Sequence, residues 1–311
     1  MKPSPHSETL HASAPGSLML MGEHAVLHGS HALCAAVNRR MHLRLFPRTD
    51  REFELQSALG RFEGHLDDFE VCKPFQFVLA ALRKKRPDCG FRLEIRSEFS
   101  DQIGFGSSAA VTVAALTLLR ALRGESFNRA AVLEEALEVV RDIQGAASGS
   151  DLAAAVYGGV VHYRAEPLRL ESLHCAFPLS VCYAGYKTPT PEVIRRVELL
   201  RKQYPERYQE IFQMIDHCVE EAVAALRQGN LPRLGGLFNL HHGLQSAMGT
   251  SDETLEFLVH ELRTKEGVLG TKISGSGLGD CVIALGNADA KVNSYDHYSV
   301  EIDSQGVSLA P

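Results

Sequence analysis

A glycine-rich segment, Gly104-Phe-Gly-Ser-Ser108, has residue types that can bind an anion. Because glycine lacks a side chain, the backbone N–H groups near Gly104 and Gly106 can approach an anion closely. The apolar run over 111–119 predicts a helix that begins at the two serines. The first N–H groups of a helix lack partners and carry a partial positive charge. The segment therefore predicts a phosphate site, although an ordinary turn with a serine cap gives the same pattern.

Asp151 is the one acid in a second segment of small residues, 145–159. Small neighbours leave space for a reactant to approach this carboxylate, which can accept the proton of an attacking hydroxyl. General-base help of this kind typically accelerates a reaction by about 10²–10⁴. The same aspartate is equally suited to capping a short helix over 152–157. Catalysis and capping both remain open from this segment alone.

Glu23 and His24 follow a short buried strand that ends at Gly22. Side chains at the end of a strand reach a cleft more readily than side chains within it. A third glycine-rich segment, Gly275-Ser-Gly-Leu-Gly279, precedes another apolar strand. His24 is one of 14 histidines, so a surface or capping position is the alternative for it. These residues are therefore candidates for a ligand-binding cleft.

The elements that must position these residues occur in blocks, which indicates an α+β fold in two layers. Residues 41–45 and 91–96 alternate apolar and polar side chains, so we expect two antiparallel strands with one face in water. Helical periodicity predicts helices over 74–85, 129–144, 191–202, 206–228, 234–248 and 251–265. The character of the chain changes near residue 179. We therefore expect two domains, residues 1–168 and 169–311.

Composition excludes several classes of protein. The 311 residues are 45% apolar, which is ample for a core, and the net charge of −6 argues against nucleic acid or an anionic membrane as a partner. The seven cysteines form no CxxC pair, which indicates reduced thiols and no zinc site. No apolar run approaches the ~20 residues of a membrane span. We therefore expect a cytoplasmic enzyme without a nucleic-acid or membrane partner.

Four segments together resemble the GHMP small-molecule kinases, and the mevalonate kinases of that family in particular. They are Ala14-Pro-Gly-Ser-Leu-Met-Leu-Met-Gly-Glu-His-Ala-Val-Leu-His-Gly29, Gly104-Phe-Gly-Ser-Ser-Ala-Ala110, Ser148-Gly-Ser-Asp151 and Lys272-Ile-Ser-Gly-Ser-Gly-Leu-Gly-Asp-Cys281. The resemblance covers about 15 to 285, and the segments stand in the order typical of the family. Neither a Walker A sequence nor a dinucleotide-binding fingerprint is present.

The resemblance implies an N-terminal domain like domain 2 of ribosomal protein S5 and a ferredoxin-like C-terminal domain. ATP and Mg²⁺ would bind with a small-molecule substrate in the cleft between them, and the family allows a homodimer. The resemblance implies these roles: Asp151 as the catalytic acid that accepts the hydroxyl proton; Gly104, Gly106, Ser107, Ser108, Ala109, Gly275 and Gly277 as nucleotide-binding residues; His24, Ser148 and Thr190 as substrate contacts; and Ser108 and Glu23 as metal-binding residues.

Two positions depart from the family pattern. The lysine that usually follows Ala-Pro-Gly is Ser17 here, and Val140 stands where a magnesium-binding glutamate is common, eleven residues before the catalytic acid. Lys187 is a hypothetical substitute for the missing lysine. Without the glutamate, the metal would depend on Ser108, nucleotide oxygens and water, since Mg²⁺ uses few protein ligands.

The resemblance divides over the phosphoryl acceptor. Gly22-Glu-His24 favours mevalonate, whereas Gly279-Asp-Cys281 is closer to the phosphomevalonate kinases. We therefore predict transfer of the γ-phosphoryl of ATP to the 5-hydroxyl of mevalonate. A phosphomevalonate kinase would need further basic residues, for which Lys187, Arg195 and Arg196 are candidates. Another GHMP kinase, acting on a sugar or an amino acid, matches the first segment less well. A non-catalytic nucleotide-binding regulator is the alternative that the two departures favour.

Overall fold

The structure is a computed structural model that describes residues 8–100, 103–145 and 147–310. The description leaves out four parts of the chain: the N-terminal residues 1–7, Asp101 and Gln102 before the glycine-rich segment, Ala146 within the segment 145–159, and Pro311. Every residue to which the resemblance assigns a role is described.

The described residues form twelve strands and eight α-helices. The strands are β1 (Leu10–Met21), β2 (Ala32–Pro47), β3 (Glu52–Ser57), β4 (Gly60–His65), β5 (Phe91–Ser97), β6 (Val160–Arg164), β7 (Arg169–Leu173), β8 (Leu179–Lys187), β9 (Gly270–Ser274), β10 (Gly279–Leu285), β11 (His297–Val300) and β12 (Ser308–Ala310). The helices are α1 (Gln76–Lys84), α2 (Ser107–Leu122), α3 (Arg129–Gln144), α4 (Ser150–Tyr157), α5 (Thr190–Gln203), α6 (Pro205–Arg227), α7 (Leu231–Ala247) and α8 (Glu253–Arg263).

The first sheet has eight strands and contains most of the N-terminal half of the chain. Its main order is β12-β1-β2-β5-β3-β4, while β6 pairs with β2 and β7 pairs with β6. Strands β2 and β5 are antiparallel, with Leu43 opposite Ile95, which confirms the predicted pairing. The short β12 returns to β1 at the end of the chain.

Helix α2 lies at the centre of the first layer. It packs on β1 and β2 and against α1, α3 and α4. Its sequence is apolar almost all round, and residues such as Val113, Leu116 and Leu119 are buried. A helix that is apolar on every side is stable only when it is covered on every side. The helix start at Ser107 is therefore held rigidly against the first sheet.

The second sheet has the order β11-β8-β10-β9, and all its pairs are antiparallel. Helix α8 packs on it through Leu255, Leu258 and Leu262, and α7 packs on β9. The blocks of strands and helices confirm the α+β expectation. The division at residue 168 stays a proposal: β7 lies beyond that residue and continues the first sheet, and β12 joins it again.

None of the described helices is both long and apolar enough to cross a bilayer. All seven cysteines are free thiols.

Candidate functional site

A cavity of about 230 Å³, called the main cavity here, is lined by residues from both halves of the chain. Nine of the predicted site residues line it: Glu23, His24, Gly104, Gly106, Ser108, Ser148, Asp151, Thr190 and Gly275. Three do not. Ser107 lines a neighbouring cavity, Ala109 is fully buried in the core, and Gly277 packs against the backbone of Thr250.

The glycine-rich segment and the start of α2 form one wall of the main cavity. Gly106 is the N-cap residue of α2 and has a positive φ of 64°. A Cβ atom there would lie 2.2 Å from Oγ of Ser17, so glycine is required by conformation and by space. The N–H of Ser17 donates to the carbonyl of Phe105 over 3.0 Å and holds the segment against β1. No side chain caps α2, so its first N–H groups remain available to a ligand.

A second cavity of about 660 Å³, called the apolar cavity here, lies on the other side of the α2 start. Its walls include Phe75, Phe77, Ile95 and Phe99. Ser108 lines both cavities. The first turn of α2 therefore stands between a polar space and an apolar one.

Asp151 lies in the first turn of α4 and is half-buried in the wall of the main cavity. Gly149 is the N-cap residue, and no side-chain hydrogen bond caps this helix. Oδ1 of Asp151 accepts the N–H of Leu152 over 2.9 Å. No ion pair with Asp151 occurs among the described residues. Burial raises the pKa of this carboxyl, since no cation offsets the desolvation of its charge.

Glu23 is buried and forms an ion pair with the fully buried Lys272 of β9. Its second oxygen, Oε2, lies 3.4 Å from Nε2 of His241 on α7. That nitrogen accepts the N–H of Gly22 over 3.0 Å, so His241 is neutral, and burial holds its pKa well below the usual value. Burial also raises the pKa of Glu23, although the Lys272 ammonium opposes the shift. Glu23 thus connects the first sheet to the second through a buried charge pair.

His24 reaches the glycine-rich segment of the second sheet. Its φ is 60°, an uncommon value for a residue with a side chain. Nε2 donates to the carbonyl of Ser276 over 2.8 Å, which leaves Nδ1 as an acceptor. Within the second half, the hydroxyl of Thr188 donates to the carbonyl of Leu278 over 2.6 Å and so fixes the same glycine-rich segment. The strained backbone of His24 is therefore held by a contact with a segment that is itself fixed.

Asp280 and Lys187 form an ion pair in the main cavity, with Nζ and Oδ2 2.8 Å apart. Asp280 is buried and has a φ of 70°. A Cβ atom on Gly104 would lie 2.4 Å from an Asp280 oxygen, so the carboxylate packs directly against the glycine-rich segment of the first half. Lys187 is the one lysine or arginine among the described residues that line this cavity.

The remaining predicted residues have clear positions. Ser148 contacts Ser150 through their hydroxyls at 3.1 Å, just before α4, and Thr190 is the first residue of α5. Ser17 lines the main cavity, whereas Val140 is buried on α3 and does not. Arg195 and Arg196 line shallow grooves beside α5 and not the main cavity.

Two functional candidates are missing from the sequence-based prediction, Lys272 and Asp280. Lys272 lies in the buried strand Gly270–Ser274, whose sequence Gly-Thr-Lys-Ile-Ser has no apolar pattern that would reveal a buried lysine. Asp280 offered no signal either, because only the folded chain brings it against Gly104.

N–H groups that can bind phosphate, a half-buried aspartate and an adjoining apolar cavity are features that a small-molecule kinase needs. The sequence family described as GHMP kinases N terminal domain matches residues 73–159, and that described as GHMP kinases C terminal matches residues 222–295. A mevalonate kinase from Archaeoglobus fulgidus is 33% identical over 301 residues, which cover 96% of this chain and 99% of the relative. The chain therefore belongs to the GHMP kinases.

Solved structures show how widely this fold is shared. A mevalonate kinase from L. major, solved in complex with R-mevalonate, has a TM-score of 0.78 at 25% identity and covers 94% of this chain and 95% of its own. A galactokinase from Lactococcus lactis, complexed with galactose, has a TM-score of 0.82 at 19% identity and covers 97% of this chain and 95% of its own. The fold alone therefore does not decide the substrate.

Proposed function

We propose that this kinase transfers the γ-phosphoryl group of ATP to the 5-hydroxyl of mevalonate. The observation that carries the proposal is that the half-buried, unpaired Asp151 faces the same cavity as the uncapped start of α2. The acceptor is proposed from the relatives, because the A. fulgidus mevalonate kinase matches the chain over nearly its whole length.

The two cavities fit a nucleoside triphosphate. Phosphate oxygens suit the free N–H groups at the α2 start and the space left by Gly104 and Gly106, because a helix start and a glycine-rich segment together favour anions. The apolar walls beside Phe75 and Phe99 suit a purine ring. Ser108 lies where the two parts of the ligand would meet.

The oxygen donors in the main cavity fit Mg²⁺, which prefers hard oxygen ligands. We propose Ser108 and Asp280 as its protein ligands, because a carboxylate packed on the phosphate-binding segment needs a cation between it and the phosphates. The bound ion would neutralise the charge on the phosphoryl group in transfer. Glu23, predicted as a metal residue, is already neutralised by Lys272, so we propose that it positions the segment of Gly275.

Asp151 orients the acceptor hydroxyl and accepts its proton. Its raised pKa suits this task, since a base works best when its pKa lies near the operating pH. His24 offers Nδ1 to a substrate hydroxyl, because Nε2 is held by Ser276. Lys187 supplies the positive charge that Ser17 cannot supply. Phosphoryl transfer asks mainly for this positioning and charge neutralisation.

The charges of the main cavity favour mevalonate over 5-phosphomevalonate. The second substrate carries an additional phosphate, which calls for additional basic residues. Arg195 and Arg196 lie outside the cavity, and Lys187 already has Asp280 as a partner. The described lining of the main cavity therefore offers no further cation for a second anionic group on the substrate.

A paired substrate assay tests the proposal. ADP release would be measured with ATP and Mg²⁺, first with mevalonate and then with 5-phosphomevalonate, on the wild type and on Asp151→Asn. We expect turnover with mevalonate that Asp151→Asn abolishes. Turnover with 5-phosphomevalonate alone would make the protein a phosphomevalonate kinase. Nucleotide binding without phosphorylation of either compound would favour the non-catalytic regulator.

A further inference from the structure

A cluster of metal-ligating side chains lies apart from the main cavity. Within the described part of the chain, His31, His162 and Glu220 are a group in which one ligand atom from each residue lies within 4.8 Å of the others. Asp216 joins them, because its Oδ1 is 3.0 Å from Nδ1 of His31. None of these four residues lines the main cavity. The mechanism above therefore leaves this cluster unused.

Three separate elements bring the four side chains together. His31 precedes β2, and its backbone N–H donates to Oδ1 of Asp216 over 2.6 Å. His162 lies on β6, opposite Leu33 of β2, so the sheet fixes its distance from His31. Asp216 and Glu220 are four residues apart on α6 and so share one face of the helix. The cluster thus rests on a sheet and a long helix rather than on mobile loops.

The spacing between the donor atoms matches a tetrahedral ion. Oε1 of Glu220 lies 3.2 Å from Nδ1 of His31 and 3.2 Å from Nε2 of His162. Zinc bonds of about 2.0–2.1 Å to nitrogen and oxygen place neighbouring ligands about 3.3 Å apart in a tetrahedron. Both observed separations agree with this value. One nitrogen of each imidazole and Oε1 of Glu220 can therefore reach one common point, while Oδ1 of Asp216 lies 3.0 Å from Nδ1 of His31 beside it.

A hydrogen-bonded cluster without metal explains these contacts less completely. Nε2 of His162 is buried and makes no hydrogen bond of acceptable geometry, although Oε1 of Glu220 is near. A buried nitrogen without a partner is normally costly, by about 1–3 kcal/mol. An ion bound at this nitrogen would supply the missing partner.

We propose that His31, His162 and Glu220 form a binding site for a divalent transition-metal ion, Zn²⁺ by its donor set, while Asp216 holds the backbone of His31 beside it. Two imidazoles and a carboxylate, with water as a fourth ligand, suit Zn²⁺, whereas Mg²⁺ prefers oxygen ligands only. The sequence carries no zinc motif, because the ligands are separated by more than a hundred residues between His31 and His162. The site does not depend on the proposed kinase activity.

The ion would fasten α6 to the turn behind the kinase site. The carbonyl of His31 packs on Gly22, where an added Cβ atom would lie 2.5 Å from it. Gly22 is followed directly by Glu23 and His24. A metal at His31 would therefore restrict the segment that carries His24, and its role would be structural.

Metal analysis of the untagged full chain tests the site. Zn²⁺ alone would be added to the chelator-treated protein and counted by mass spectrometry after desalting. We expect about one equivalent in the wild type, and a rise of roughly 5 °C in Tm at about a hundredfold excess over Kd. Glu220→Gln and His162→Gln should lose both effects. Co²⁺ should give the strong visible absorption of a tetrahedral site in the wild type only.

His65→Gln is the matched control, because His65 also lies beside a carboxylate, Asp67, but outside the cluster. It should bind Zn²⁺ as the wild type does. Glu220 is half-exposed, so Glu220→Gln should fold even if a histidine variant does not. Equal Zn²⁺ binding by the wild type and Glu220→Gln would overturn the proposal. So would the absence of Zn²⁺ binding, or a Tm rise that Mg²⁺ reproduces.

Discussion

The two halves of the kinase site differ in how they supply charge. The half from the first sheet offers backbone N–H groups at the α2 start and an unpaired acid, Asp151. The half from the second sheet offers two lysines, and each is paired with a carboxylate: Lys187 with Asp280, and Lys272 with Glu23. No lysine or arginine of the first half is among the described residues that line the main cavity.

The two pairs differ in position: Lys187 and Asp280 both belong to the second half, whereas the Glu23–Lys272 pair crosses the junction of the two sheets. Asp280 belongs to the second half but packs on Gly104 of the first. Glu23 belongs to the first half but pairs with a lysine of the second. In the first half, Ser17 and Val140 stand at the positions where the family pattern has a lysine and a glutamate. We infer that charged residues of the second half perform the electrostatic role of these two missing residues.

The largest effect should come from Asp151→Asn, which removes the unpaired acid that the first half contributes to the main cavity. We expect kcat to fall by about 10²–10⁴, because the hydroxyl loses its proton acceptor.

The Asp151→Asn change should also raise Tm at neutral pH. The raised pKa of Asp151 means that the folded state holds the protonated form more tightly, so wild-type stability decreases as pH rises from 3.8 through the folded pKa. Kinetics and thermal melts at several pH values check both parts.

The stability difference between Asp151→Asn and the wild type should shrink as pH falls toward 4, where the wild-type carboxyl becomes protonated. If the variant has both a lower kcat and a lower Tm than the wild type, Asp151 has a structural role instead. Asp142→Asn is the matched control, since Asp142 is an exposed acid on the neighbouring α3. Asp142 does not line the main cavity, so this variant should leave kcat within about twofold. It should change the free energy of unfolding by no more than about 0.5 kcal/mol, as is usual for exposed substitutions.

Lys272→Met tests the buried pair that joins the halves. It leaves the Glu23 carboxylate buried without a cation, so unfolding should become easier by about 3–5 kcal/mol. Adding Glu23→Gln should restore part of this loss, because a neutral amide needs no counter-charge. Urea unfolding of both variants measures the effect. Lys265→Met, at an exposed lysine, should change the free energy of unfolding by less than about 0.5 kcal/mol. If Lys272→Met and Lys265→Met lowered the free energy of unfolding equally, the Glu23–Lys272 pair would not have the structural role inferred here.

The sequence predicted which short segments line the main cavity, but it did not predict the long-range pairs of charged residues. Residue type and short spacing are enough to recognise the glycines, the serine pair and Asp151. The apolar run is enough to predict α2. Asp280 and Lys187 lie more than ninety positions apart and meet through the pairing of β8 with β10. Long-range pairing of this kind leaves no periodic signal in one chain. The buried pair Glu23–Lys272 escaped for the same reason.

Ser108→Ala should have a smaller but clear effect on the phosphate-binding wall. Loss of the hydroxyl removes a proposed metal ligand where the family glutamate is already absent, so we expect at least a tenfold fall in kcat, about 1.4 kcal/mol. Ser107→Ala is the matched control, because Ser107 lines the apolar cavity only. It should cost less than about threefold. A Ser108→Ala effect no larger than that of Ser107→Ala would mean that the first half holds the metal by other means.

Lys187→Met should have the smallest effect of the four, because the change leaves the α2 start and Asp151 intact. The Lys187 side chain is 34% exposed, so water screens its charge; a contribution of about 0.5–1 kcal/mol predicts that kcat/KM falls by about two- to fivefold. Arg195→Met, on the outer groove of α5, should leave it unchanged. If Lys187→Met has no effect while Asp151→Asn abolishes turnover, the second half does not replace the lysine missing at Ser17. The first half would then neutralise the phosphates through its backbone N–H groups alone, and the Lys187–Asp280 pair would contribute only to the fold.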